Sequence, residues 1–278
     1  MTGSIFSDLL IAAGDRLGRA GRFLWGGWAG LAALALLGAV WQAGFEAYGA
    51  FILPAPLDVV MKGVELVSAP ATWAIAQATG IRALEGFALS VLVGCGVGIA
   101  AGYSHGVLRL VRPLLTIMLG VPPVAWIVLT MIWFGAGDGT VIVTVIVAAT
   151  PILIAGTAEG ILTRDRGLDA MALAYGAGPF RRFATLGLRH MSAHLFPAVV
   201  LALATGFKVA VMAELLANAG GIGGALADAR ALFDIEEALA WVAISVSLLI
   251  AVEYGVVQPV RGELERWKQA AQPWGVKR

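Results

Sequence analysis

The chain has 278 residues, of which 59% are hydrophobic and 13% charged, with 36 glycines and nine tryptophans. That balance, with apolar runs of twenty or so residues, marks an integral membrane protein. The net charge of +1 gives no pointer to nucleic acid or to an acidic partner, and the single cysteine, Cys95, excludes an internal disulfide.

Residues 1–23 are mildly amphipathic and carry Arg16, Arg19 and Arg22. The apolar run from about Leu24 to Phe45 is too long for a signal-peptide core and lacks a convincing cleavage site, so it predicts an uncleaved first span. Phe51-Ile52-Leu53-Pro54-Ala55-Pro56 follows as a proline-broken interfacial segment, then a short helix from about Leu57 to Thr79 with Asp58, Lys62 and Glu65. The second span runs from about Leu84 to Tyr103. In it Gly94, Gly98 and Gly102 recur every four residues, a small-residue stripe that lets another helix approach closely. A short loop carries His105, Arg109 and Arg112. The third span, about Pro113 to Phe134, holds Pro122-Pro123 at mid-depth, where two prolines must break the hydrogen-bond ladder. Gly135-Ala136-Gly137-Asp138-Gly139 is a tight turn, and the fourth span is about Thr140 to Leu162 with a central Pro151.

A polar segment, Thr163-Arg164-Asp165-Arg166, then leads into a short helix with Leu168, Met171, Ala172 and Tyr175 on one face. Gly176 stops that helix and Gly178-Pro179 starts a second one. This second helix carries Phe180, Phe183 and Leu186 on one side, with Arg181, Arg182 and Arg189 off that stripe. The fifth span is about Ala193 to Leu216, and Ala217 to Asp234 reads as a glycine-rich loop with Asp228 and Asp234. The sixth span is about Ile235 to Val257, and the tail from Pro259 holds Arg261, Arg266, Lys268, Lys277 and Arg278. Counted on alternate sides, fifteen lysines and arginines fall with both termini and the 163–192 segment, against three (Lys62, Arg82 and Arg230) on the other side. The positive-inside rule therefore places both termini and the helical pair in the cytoplasm.

An apolar stripe beside arginines suits a helix that docks into a protein groove; the same face could also lie on anionic lipid. Lys208, roughly two-thirds of the way across the fifth span, is costly at that depth. It offers an electropositive point for an anionic or polar solute, or it snorkels outward, or it pairs with Glu214. Glu159 reads as a helix-end charge. His190 and His194 stand four apart without a third ligand and read as interfacial. No nucleophile with a matching base appears in the spans, which argues against an enzyme. None of the four lysines sits in a Gly-x-x-x-x-Gly-Lys-Ser/Thr context, so ATP, if used, is bound by another chain.

Several of these stretches together resemble the permease subunit of binding-protein-dependent ABC importers, in particular the nitrate/sulfonate/taurine branch, over about Leu53 to Trp267. They are Leu53-Pro54-Ala55-Pro56, the second-span glycines, Val121-Pro122-Pro123-Val124-Ala125-Trp126, Trp133-Phe134-Gly135-Ala136-Gly137-Asp138, Pro151-Ile152 and Ala213-Glu214. In the cytoplasmic segment, Ala172 and Gly176-Ala177 fit the EAA coupling motif. The motif's glutamate position holds Ala170, with Asp169 beside it, and Arg189 and Ala193 stand where prolines are expected.

The resemblance implies an all-α, six-span, type I ABC importer permease fold with both termini inside, multi-pass in the bacterial inner membrane. The permease domain would run over 24–258, between a cytoplasmic N-terminal segment 1–23 and a cytoplasmic tail 259–278, with coupling helices at about 164–190. It implies ATPase contacts at Leu168, Asp169, Ala170, Met171, Ala172, Tyr175, Gly176, Ala177, Arg181 and Arg182. A solute path would be lined by Pro122, Pro123, Trp126, Lys208, Met212 and Glu214. The implied partners are a second permease copy, ABC ATPase subunits, a periplasmic or lipid-anchored solute-binding protein, membrane lipids and a small solute of sulfonate, taurine, nitrate or heterocyclic type. This chain itself would bind no cofactor and no metal, with ATP and magnesium on the ATPase. A stand-alone channel or secondary transporter is the rival expectation; the inverted repeat common in secondary transporters is not visible.

Overall fold

A computed structural model describes residues 28, 30 and 32–254 of the chain. The segment 1–23, the start of the first predicted span, the end of the sixth and the tail from Pro259 lie outside the described residues. The chain forms two compact units, Met1–Met61 and Lys62–Arg278. In the first, a helix over 32–48 (α1) is followed by a turn in which Trp41 Nε1 donates to the Pro54 carbonyl at 3.0 Å.

The second unit is all-helical among the described residues. After α2 (Pro56–Ser68) come α3 (Pro70–Tyr103), α4 (His105–Gly120), α5 (Pro123–Phe134) and α6 (Asp138–Leu162). The short α7 (Arg166–Ala174) and α8 (Pro179–Arg182) follow, then α9 (Leu188–Ala217), α10 (Gly221–Ala231) and α11 (Ile235–Val252). Helices α3, α6, α9 and α11 are each long and apolar enough to cross a membrane, and α4 with α5 forms a further, bent pair.

Four boundaries differ from the sequence reading. The predicted short helix and second span are not split near Thr79. Pro70 begins α3, which runs unbroken for 34 residues, roughly 50 Å, to Tyr103. Gly80 and Arg82 sit inside it without breaking it, and the arginine's charge is paired with Asp138 and Glu214. The third span is two helices bent by 96°, with Pro122 preceding α5 and Pro123 in its first turn. Ala217 to Asp234 is mostly the helix α10, not a loop. The second cytoplasmic helix also does not stand apart: a single π-turn over Phe183–Gly187 joins α8 to α9.

The predicted glycine stripe is the contact between α3 and α6. A Cβ built on Gly94, Gly98 or Gly102 would come 2.6, 2.5 and 2.6 Å from the Cβ atoms of Leu153, Thr157 and Ile161. Gly86 extends the row onto Val145 Cβ at 2.7 Å, with buried Ser90 between, its hydroxyl donating to the Gly86 carbonyl at 2.7 Å. On α6, Gly160 in turn lies against the Met191 backbone of α9, 2.7 Å from where its Cβ would be. Thus α6 is held between two helices. Near its start, Thr144 donates to the Thr140 carbonyl at 2.6 Å and meets Thr130 of α5 at 2.8 Å.

Gly98→Val should therefore force α3 off α6 and destabilise the detergent-solubilised protein by about 3 kcal/mol, the range of core overpacking. Gly96→Ala, whose added methyl meets nothing within 4 Å, should leave the melting temperature unchanged. Equal melting temperatures for the two variants would contradict the packing described.

Candidate functional site

Three groups of residues bear on function. The first is the predicted coupling segment after α6. Asp165 caps α7 by accepting from Gly167 N–H at 2.7 Å and Leu168 N–H at 3.2 Å. The helix ends in a Schellman turn: Gly176, at φ +75°, donates to the Leu173 carbonyl and Ala177 donates to that of Ala172. This fixes an apolar face that no described residue covers, with Leu168 exposed, Met171 53% exposed and Tyr175 87% exposed. Ala170 and Arg181 also point outward, while Ala172 and Ala177 are half-buried.

Asp169 and Arg182 turn inward instead. Asp169 lies 3.6 Å from Arg164 Nε and 3.5 Å from Arg182 Nη1, so its carboxylate braces α7 against α8. Phe180 leaves the predicted stripe and is exposed, whereas Phe183 packs against Tyr103 of α3. The side chains of Arg189 and His190 lie outside the described residues.

The second group is the predicted path. Pro122 and Pro123 are exposed at the α4–α5 corner, and Trp126 is half-buried with its indole N–H unpartnered among the described residues. Lys208 and Met212 lie one turn apart on the exposed stripe of α9.

Glu214 does not share their face; it belongs to a third group that the sequence reading missed. Its side chain is 0% exposed and is engaged by Arg82, so the pairing with Lys208 is replaced. Arg82 Nη1 donates to Oε1 at 2.8 Å, while Thr79 Oγ1 at 2.8 Å and Gly223 N–H at 3.1 Å donate to Oε2. Thr79 Oγ1 also accepts from Ile222 N–H at 2.8 Å. Two early N–H groups of α10 thus end on Thr79 and Glu214, and the carboxylate sits where the helix dipole favours an anion. The glycines follow from this: a Cβ on Gly221 would overlap the carboxylate, and one on Gly223 would fall 2.6 Å from Glu214 Cβ. Arg82 reaches outward as well, with Nη2 2.7 Å from Asp138 at the start of α6. The usable signal was a carboxylate and a guanidinium both embedded in apolar helix, each needing a partner.

Residues 93–258 match the family described as the binding-protein-dependent transport system inner membrane component. The chain belongs to that family. It is an ABC importer permease, a multi-pass protein of the inner membrane and not itself an enzyme. Riboflavin transport system permease protein RibX of Chloroflexus aurantiacus is 32% identical over 246 residues, covering 84% of this chain and 88% of that protein. Taurine transport system permease protein TauC of Escherichia coli is 25% identical, covering 84% of this chain and 89% of that protein. A chain of the MetNI methionine ABC transporter, solved in inward-facing conformations, superposes with a TM-score of 0.60 at 19% identity. That match covers 70% of this chain and 98% of the MetNI chain and speaks to the fold alone.

In this permease the Arg82–Glu214 pair predicts a clear asymmetry. Arg82→Met strands a buried carboxylate and should destabilise by about 3 kcal/mol or more. Adding Glu214→Gln should restore part of the loss, whereas Lys208→Met alone should not change stability. Thermal melts of the parent, the three single variants and the double variant check this, and additive effects of Arg82→Met and Glu214→Gln would disprove the pairing.

Proposed function

We propose that this permease forms the translocation path of an ATP-driven importer and works as a homodimer with two separate ATPase subunits. A solute-binding protein outside the membrane delivers a small solute to it. The observation that carries the coupling reading is the uncovered face of Leu168, Met171 and Tyr175 on a helix whose end, cap and internal brace are all specified. An apolar surface so fixed, beside Arg181, fits a groove in a protein better than it fits lipid, which needs no defined shape. ATP-driven closure of the ATPases would move residues 164–190 as a lever and shift the path between inward and outward access.

The α4–α5 corner supports the path. Irregular backbone at membrane depth is tolerated only where protein covers it or water reaches it. Pro122 and Pro123 are exposed on the single chain, so this corner faces water or the second copy. Lys208 and Met212 lie on an exposed stripe of α9, and Lys208 makes no ion pair with any described residue, leaving its charge available to an anionic or polar solute. The relatives are named for riboflavin, taurine and, in the putative permease SsuC of Bacillus subtilis, aliphatic sulfonates. Identities of 25–32% do not rank these, and the lysine favours the anionic ones.

Co-purification of an ATPase chain after gentle solubilisation tests the assembly; its absence supports a stand-alone transporter. Gly176→Val places a β-branched residue at φ +75° and should leave the permease inserted while ATP hydrolysis is uncoupled from uptake. Normal uptake per ATP in reconstituted vesicles would refute the lever. Lys208→Met should lower uptake of whichever of taurine, an alkanesulfonate or riboflavin the complex carries. Stability and solute capture by the binding protein should stay as they were, and unchanged uptake would remove Lys208 from the path.

A further inference from the structure

Tyr103, the last residue of α3, is gripped from the coupling segment by an arginine and a phenylalanine. The Arg164 guanidinium lies 4.8 Å from its ring centroid, on the link between α6 and α7. The Phe183 ring meets it edge-on at 6.3 Å and 62° from within the π-turn. At the far end of that turn Gly187 lies against the phenol: a Cβ there would come 2.8 Å from Tyr103 Oη. One residue earlier, Gly102 seats α3 on Ile161 of α6.

Tyr103 is nevertheless 47% exposed, and it borders a cavity of about 390 Å³ shared with Ile99, Asp169 and Phe180. A residue needed only to fill space would be enclosed. This one is held by directional contacts to two parts of the coupling segment, with free volume beside it into which those parts can move.

From these contacts we infer that Tyr103 is a positioning residue for transport, through which movement of residues 164–187 is delivered to α3 and thence to the Arg82–Glu214 node. The inference rests on the coupling reading above. Two features make α3 able to carry the movement. The helix is unbroken between Thr79 and Tyr103, roughly 36 Å. Its glycine row keys it onto α6, so a push at Tyr103 displaces the pair together and is not absorbed by sliding of one helix on the other. At the opposite end the same helix carries Thr79 and Arg82, which hold the N-terminus of α10.

The test uses the full chain assembled with its ATPase in nanodiscs, in a Cys95→Ala background with a reporter cysteine at Leu232, which is exposed between α10 and α11. The readout is the change in maleimide labelling rate when ATP and vanadate trap the closed ATPase, so no solute is needed. Tyr103→Leu should reduce that change by about fivefold or more, the low end of coupling between linked sites. ATPase association and hydrolysis should persist, and Tyr103→Phe should retain the response. Arg164→Gln reaches the same contact from the other side; it should give a similar loss, and the double variant no more than either alone.

A parent complex with no trapping response would sink the coupling reading and this inference with it. A normal parent with a normal Tyr103→Leu response would sink this inference alone. Failure of both single variants to assemble, or a loss of stability with the response intact, would make the contact structural and overturn the inference as well.

Discussion

The close approach of α3 to α6 is the constraint on which the rest of the permease depends. In lipid an apolar side chain gains little by exchanging acyl chains for another side chain, so helix association leans on tight packing and on polar contacts. Gly86, Gly94, Gly98 and Gly102 supply bare backbone on α3, and α6 answers with side chains that have few rotamers or are branched at Cβ: Val145, Leu153, Thr157 and Ile161. Because these are stiff, the register between the helices is set at four points. Gly160, on another face of α6, then admits α9, and Ala149, Leu153 and Ala202 close the small core between them. Every functional group stands at a place fixed by this stack.

The polar contacts obey the same economy of position. A carboxylate away from water is tolerable only when its oxygens are met by donors, and Glu214 receives a guanidinium, a hydroxyl and a backbone N–H. That arrangement dictates sequence at a distance. Thr79 and Arg82 are three apart on one face of α3; the carboxylate occupies the space a methyl on Gly221 would need, and Glu214 Cβ with the α9 backbone at Val211 and Leu215 occupies that on Gly223. Removing any one donor leaves the others holding a charge they cannot fully satisfy, so the node acts as a unit.

What the sequence disclosed and what it hid divide along locality. The stop at Gly176 and the period-four glycines are local patterns, and each was legible as residues a few positions apart. The prolines told where the third span breaks but not that the break turns the chain by 96°, since direction is set by what α5 packs against. Glycine density made Ala217 to Asp234 read as a loop. Two of those glycines, Gly221 and Gly223, lie against Glu214, whose own partners Thr79 and Arg82 lie 135 and 132 residues earlier in the chain. Asp169, expected at the ATPase contact, lies within 3.5–3.6 Å of Arg164 and Arg182 in the structure. A one-residue shift on a helix rotates a side chain by about 100°, enough to take it from the uncovered apolar face to the brace.

The two bridged carboxylates show how stiffness is distributed along the molecule. Glu214 is buried, its contacts are 2.8–3.1 Å, and the backbone around it is closed by left-handed residues at Asn218, Gly220 and Gly221. Asp169 is partly exposed, its two arginines stand at 3.5 and 3.6 Å, and the backbone beside it runs through a π-turn. Exposed pairs at such distances contribute little to stability and can be exchanged at small cost, whereas a buried pair resists separation. Compliance is therefore concentrated at the end that carries the uncovered apolar face, and rigidity at the end where α10 is fastened. Under the proposed coupling, a push delivered at the compliant end would be received at the rigid one, where the Arg82–Glu214 pair fastens α10.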